Sequence, residues 1–168
     1  RCADVTGVQT CALPISPDWT GLDRAVKTLH QYNWIVFTSV NGVDYFFRRL
    51  FENGQDVRAL GHIKTAAIGP ATADRLRTWG LKSDIIPESY RAESVVEAFT
   101  ATPVKGSKIL LPRAMEARSV LPVELTRMGA TVDEVTAYET RQAESSAADL
   151  IARLTERTID MVTFTSSS

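Results

Sequence analysis

From Pro17 onward the apolar positions fall into a regular order. Leu22, Ala25, Val26 and Leu29 recur at helical spacing and predict a helix over 20–31. Trp34-Ile-Val-Phe37 is a short apolar run that reads as a buried strand. Val43, Phe46, Phe47, Leu50 and Phe51 mark one face of a helix that ends at Gly54. A strand over 65–68 follows, then a helix over 71–79 stopped by Gly80, then a strand over 83–86 ended by Pro87. The next helix, 93–100, turns Val95, Val96 and Phe99 inward. A strand over 108–111 is ended by Pro112, and a helix over 119–128 is stopped by Gly129. Val132 and Val135 mark a strand over 131–136. A helix over 147–156 and a strand over 161–164 close the series.

Strands alternate with helices throughout. The fold class is therefore α/β, with a mostly parallel sheet flanked by helices on both faces. The Leu, Val and Phe stripes are its core. Val36-Phe-Thr-Ser39 is echoed by Thr163-Phe-Thr-Ser166, 127 residues further on, which suggests a second unit of similar design beginning near Ala147. Tyr138 to Ser145 is polar and reads as a connector between the two. Residues 1–16 show neither period. They read as a non-native or disordered leader, in the manner of translated sequencing adapter, and are set aside. The expected organisation is a leader over 1–16, a near-complete α/β domain over 17–137, a connector over 138–145, and the incomplete start of a second domain over 146–168.

Composition narrows the function. Of 168 residues, 44% are hydrophobic and 23% charged, the mix of a globular domain. The formal net charge is −1, which argues against a nucleic-acid or membrane-surface partner. No apolar run is long enough to span a membrane. An anionic ligand would have to be held by local geometry. Cys2 and Cys11 match no metal or redox motif, and His30 and His62 read as surface residues, so no metal is expected.

Three strand exits could carry chemistry. Phe37 runs into Thr38-Ser39-Val40-Asn41-Gly42, Ile68 into Gly69-Pro70-Ala71-Thr72, and Leu111 into Pro112-Arg113. In an open α/β sheet, ligands bind outside the carboxyl ends of the strands. Free N–H groups at helix starts favour anions there, hydroxyls add donors, and Arg113 could clamp a carboxylate. The same Ser and Thr could equally be helix caps, and Arg113 a solvated charge. No Gly-rich phosphate loop and no Ser-His-acid set is present. Glu116, Glu124, Asp133 and Glu134 read as solvated faces.

Taken in order, Ile35-Val-Phe-Thr-Ser-Val-Asn-Gly-Val43, Ala67-Ile-Gly-Pro-Ala-Thr-Ala73, Gly80-Leu81, Ala92-Glu-Ser94, Ile109-Leu-Leu-Pro-Arg113, Gly129-Ala130, Val135-Thr-Ala-Tyr-Glu-Thr140 and Phe164-Thr-Ser166 resemble the uroporphyrinogen-III synthase family. The resemblance covers about Trp19 to Ser168. It implies two flavodoxin-like three-layer domains, one inserted in the other, joined by a two-stranded connector. It also implies the conversion of hydroxymethylbilane to uroporphyrinogen III in tetrapyrrole synthesis, with loss of water, ring closure and inversion of the last pyrrole. No cofactor is implied. The partner is a small tetrapyrrole carrying many carboxylates, held by main-chain N–H groups between the domains. The resemblance places Tyr138 on the family's connector tyrosine, the candidate proton donor. It places Thr38 and Ser39 on the first polar exit, Thr72 on the Gly-x-x-Thr turn, and Ser166 on the matching exit of the outer domain. Asn41 stands where some members carry Arg. Gly69 and Arg113 complete the substrate-binding set. A cytoplasmic monomer is implied, and the chain taken alone is expected to lack turnover. The alternatives are a non-catalytic α/β binding or receiver-like module, or a fragment of a fusion with a uroporphyrinogen methyltransferase. Asp84 and Asp133 lie near strand starts, where a receiver's phospho-acceptor would not sit.

Overall fold

Trp34–Phe37 is buried along its whole length, and its alternate side chains enter two different cores. A strand of that kind must be covered on both faces. The computed structural model describes residues 12–15, 18–142, 151–152, 154–159 and 161. In chain order the elements are β1 (Ala12–Ile15), α1 (Thr20–Lys27), β2 (Trp34–Phe37), α2 (Val40–Glu52), β3 (Lys64–Ala67), α3 (Pro70–Thr78), α4 (Ala92–Thr100), β4 (Lys108–Ala114), α5 (Val120–Arg127) and β5 (Thr131–Gln142). Single 3₁₀ turns occupy Leu29–Gln31 and Val57–Leu60. The chain divides into a unit over 14–140 and a second made of 1–13 with 141–168. In the second unit, residues 151–152 and 154–155 are helical, with the Glu156 N–H donating to the Ala152 carbonyl at 2.8 Å.

The sheet order is β1-β5-β4-β2-β3, and the β2–β3, β2–β4 and β4–β5 pairs are all parallel. On one face, α1, α2 and α3 pack Leu22, Phe46, Phe47 and Leu76 against Ile35, Phe37, Leu110 and Val135. On the other, α4 and α5 pack Val95, Phe99, Leu121 and Leu125 against Trp34, Val36, Ile109 and Leu111. Each fully buried large side chain contributes roughly 1.5–3 kcal/mol, so both faces are needed to hold a sheet this narrow. Gly80 and Gly129, at φ 83° and 91°, take the left-handed conformation that ends α3 and α5. The α/β layering expected from the sequence is the observed one.

Several boundaries differ, each for a local reason. The helix expected over 20–31 stops at Lys27. The Thr28 hydroxyl turns back to donate to the carbonyls of Arg24 and Ala25, and a tighter turn follows. The strand expected over 83–86 is one bridge, Ala66 to Ile85. There the Asp84 carboxylate accepts the Thr65 N–H at 2.8 Å, taking a donor that a longer ladder would use. Pro112 does not end β4, which continues to Ala114. Lys108 exchanges hydrogen bonds with Asn33, next to β2, so alternate residues including Pro112 face that side. The β2–β4 pairing stops at Leu110, so the missing Pro112 N–H removes no ladder bond. β5 runs on to Gln142, which makes the first residues of the expected connector a continuing strand. Ala12–Ile15, placed in the leader by sequence, forms the edge strand β1. The leader's other residues lie outside the described residues, as do half of the helix expected over 147–156 and nearly all of the strand expected over 161–164.

Candidate functional site

β2 delivers Thr38 and Ser39 at its carboxyl end. Ser39 is extended and caps α2, its Oγ accepting the Gly42 N–H at 3.0 Å. Across the sheet, β5 carries a bulge. Arg113 pairs with Thr136, but Ala114 pairs with Tyr138, leaving Ala137 extra. The bulge cancels the alternation expected of a strand, and Ala137 and Tyr138 both join the core beneath α1, α2 and α3. Tyr138 is thereby aimed at α2. Its ring stacks on Tyr45 with centroids 5.9 Å apart and planes 17° apart, and its hydroxyl donates to Ser39 Oγ at 3.0 Å.

The chain passes from β2 to β3 on one side, then crosses back to β4 on the other. The carboxyl ends of β2 and β4 therefore form the topological switch point, where open α/β sheets bind ligands. A cleft of about 520 Å³ lies there. Thr38, Ile68, Arg113 and Tyr138 reach it from the strand ends. Tyr90 and Arg91 reach it from before α4, and Arg118 from before α5.

Of the residues singled out by sequence, Thr38, Arg113 and Tyr138 line this cleft, and Ser39 touches Tyr138. Gly69 is buried under the Tyr90 ring. Asn41 is exposed on the first turn of α2, and Thr72 is only 3% exposed within α3; neither lines the cleft. Ser166 lies outside the described residues. Arg113 is neither a solvated charge nor a free clamp beyond a strand. It sits within β4, 6% exposed, with Nη1 donating to Glu134 Oε2 at 3.0 Å and Nη2 donating to the Arg118 carbonyl. Glu134, read from sequence as a solvated carboxylate, is half exposed and is the partner of this arginine. Asp133, read the same way, accepts a hydrogen bond from the Tyr32 hydroxyl. Glu116 and both histidines are exposed.

Sequence reasoning missed Tyr90, Arg91 and Arg118. Both arginines line the cleft, and among the described residues neither has an ion-pair partner. The available signal was an aromatic and an arginine together in an otherwise polar stretch just before a helix, Glu88-Ser-Tyr-Arg-Ala92.

A doubly wound α/β domain with an arginine-bearing cleft at its switch point is of the class that holds small anionic ligands. Comparison with known proteins narrows the class. The model of the uroporphyrinogen-III synthase HemD family matches residues 5–168, which includes part of the leader set aside above. The chain is 38% identical over 147 residues to a Methanothermobacter thermautotrophicus protein assigned as a uroporphyrinogen-III synthase, covering 86% of this chain and 57% of that protein. It is 32% identical over 173 residues to the Synechococcus elongatus uroporphyrinogen-III synthase, covering 99% of this chain and 64% of that one. The crystal structure of wild-type uroporphyrinogen III synthase from the extremely thermophilic bacterium Thermus thermophilus shares the fold, with a TM-score of 0.62 at 19% identity over 90% of this chain and 57% of that one. The chain belongs to the uroporphyrinogen-III synthase family. It spans about three-fifths of the length of the two curated relatives.

Proposed function

We propose that this chain supplies one domain of a uroporphyrinogen-III synthase, a cyclising hydro-lyase acting on hydroxymethylbilane. The observation that supports this is the grouping of Arg91, Arg113, Arg118, Thr38 and Tyr138 around a single cleft at the switch point of the sheet. A linear tetrapyrrole with an acetate and a propionate on each ring needs cations and N–H donors at several points along its length. The cleft offers arginines together with the N-terminal turns of α4 and α5.

In this reading Tyr138 gives its proton to the departing hydroxyl as the C–O bond breaks, and water leaves. The phenolate so formed is met by Ser39, whose Oγ is held in place by the Gly42 N–H. A phenol is a weak acid near neutral pH, so this step contributes ~10²-fold. The larger contribution comes from holding the chain folded so that its ends meet, which is worth several kcal/mol or more. Thr38 binds the substrate at the first strand end, Ser39 acts through Tyr138, and Gly69 acts by backing the Tyr90 ring, whereas Asn41 and Thr72 do not reach the cleft. No step uses a cofactor. The proposal extends to a monomer working in the cytoplasm, in keeping with described helices that are all too short or too polar to cross a membrane.

The test is a nuclear magnetic resonance footprint of the chain titrated anaerobically with uroporphyrinogen III. Shifts confined to the amides of Thr38, Tyr90–Glu93, Arg113–Leu121 and Tyr138 support the reading. Shifts elsewhere on the surface, with this set unmoved, contradict it.

A further inference from the structure

Gly69 stands at the start of α3 with φ −173°, extended backbone that any residue can adopt, and it makes no side-chain cap. Its backbone conformation therefore does not require glycine. The space does. A Cβ at this position would lie 2.8 Å from Cδ1 and 3.1 Å from Cγ of Tyr90. The Tyr90 ring rests directly on the Gly69 backbone, at a distance only glycine permits.

Tyr90 is nonetheless 64% exposed, so its ring is supported on one side and open on the other. The ring stands at the rim of the cleft that Tyr138 also lines. Arg91, the next residue, is exposed at the same rim with no ion-pair partner among the described residues. Arg113, by contrast, is already occupied by Glu134 and the Arg118 carbonyl. The rim thus presents an aromatic ring backed by the Gly69 main chain and, at the next residue, a guanidinium with no ion-pair partner among the described residues.

We infer that Tyr90 and Arg91 form a receiving subsite for one carboxylate-bearing pyrrole ring, which stacks on the open face of Tyr90 while its acid side chain pairs with Arg91. This rests on the reading of the cleft as a tetrapyrrole site and assigns one ring of that ligand to its rim. A planar electron-rich ring suits an aromatic face backed on its other side by main chain, because that support limits the freedom the platform loses on binding. Arg is suited to a carboxylate through two parallel hydrogen bonds.

The experiment titrates the chain anaerobically with uroporphyrinogen III and follows both affinity and the Tyr90 ring protons. Native chain is expected to bind with a ring-current shift of the Tyr90 protons. Tyr90→Ala weakens binding about tenfold, whereas Tyr90→Phe leaves it unchanged. Arg91→Gln also weakens binding and flattens its dependence on salt. Gly69→Ala displaces the ring without altering Tyr90 itself and weakens binding as Tyr90→Ala does. Tyr90 and Arg91 are exposed, so these variants keep the fold, which circular dichroism checks. Unchanged affinity in Tyr90→Ala, with the cleft footprint intact, overturns the subsite and leaves the wider reading standing. Absence of binding by the native chain overturns both.

Discussion

The Tyr138 hydroxyl lies 3.0 Å from Ser39 Oγ, although 99 residues separate them in sequence. The same oxygen accepts the Gly42 N–H at 3.0 Å. A serine oxygen has two acceptor lone pairs, so both are used, and the Ser39 proton remains to be donated. One side chain therefore ties the start of α2 to the bulge of β5. Removing it acts on both elements at once. Ser39→Ala is expected to cost about 1–2 kcal/mol, from a lost cap and a lost hydrogen bond. Ser39→Thr restores most of that. Urea midpoints at unchanged m-value measure the difference.

Two glycine-to-alanine changes should have opposite signs. At Gly42 a Cβ would stand 3.1 Å from the Pro112 carbonyl oxygen and 3.2 Å from Ser39 Oγ. The first of these is backbone and cannot swing away, so Gly42→Ala destabilises by roughly 1–2 kcal/mol. At Gly21, in the first turn of α1, the nearest atom is Val135 Cγ1 at 4.0 Å. Gly21→Ala is therefore expected to stabilise, by up to about 1 kcal/mol. Paired thermal or urea denaturation of the two variants checks the signs.

Glu134 competes with any ligand carboxylate for Arg113. The arginine side chain is 7% exposed and the glutamate 49%, so solvent weakens the pair and its loss is modest. Glu134→Gln is expected to lower stability by about 1 kcal/mol while tightening the binding of a polycarboxylate several-fold. Arg113→Met should lose that binding without the compensating gain. Denaturation and calorimetry on the same two variants separate the effects.

Asp23 is one of the described carboxylates that shape the acid side of the stability profile. The hydrogen bond from Arg49 holds its carboxyl below the ordinary carboxylate range against the opposing effect of burial, with a further bond from Asn53 helping. The folded state thus binds fewer protons than the unfolded chain at low pH. The stabilisation is complete above the unfolded carboxylate value, about 4, and is lost as pH falls through the lowered folded value. Asp23→Asn should remove that part of the slope and leave the profile above pH ~5 parallel to that of the native chain. Urea midpoints measured between pH 3 and 7 test it, using roughly the range over which carboxylates titrate.

The layering was legible in the sequence because it rests on period. Val36 and Phe37 can only belong to a strand covered twice, and the Phe46, Phe47 and Leu50 stripe can only face one core. The stops at Gly80 and Gly129 were legible for the same reason, since a left-handed residue ends a helix. What escaped depends on partners that are distant in sequence. Pro112 stops a strand only where its N–H would have been used, and that depends on where β2 ends. The orientation of Tyr138 depends on one extra residue in β5, which no periodicity reveals until the register with β4 is known. The burial of Arg113 depends on Glu134 across the β4–β5 pair. Tyr90 was hidden because its platform, Gly69, lies on a different loop.

The most direct measurement is an anaerobic calorimetric titration of the chain with uroporphyrinogen III at low and moderate salt. The account predicts saturable binding that weakens as salt rises, because Arg91 and Arg118 face the ligand's carboxylates without ion-pair partners among the described residues. Heats of dilution alone, from a chain shown by circular dichroism to be folded, would contradict it.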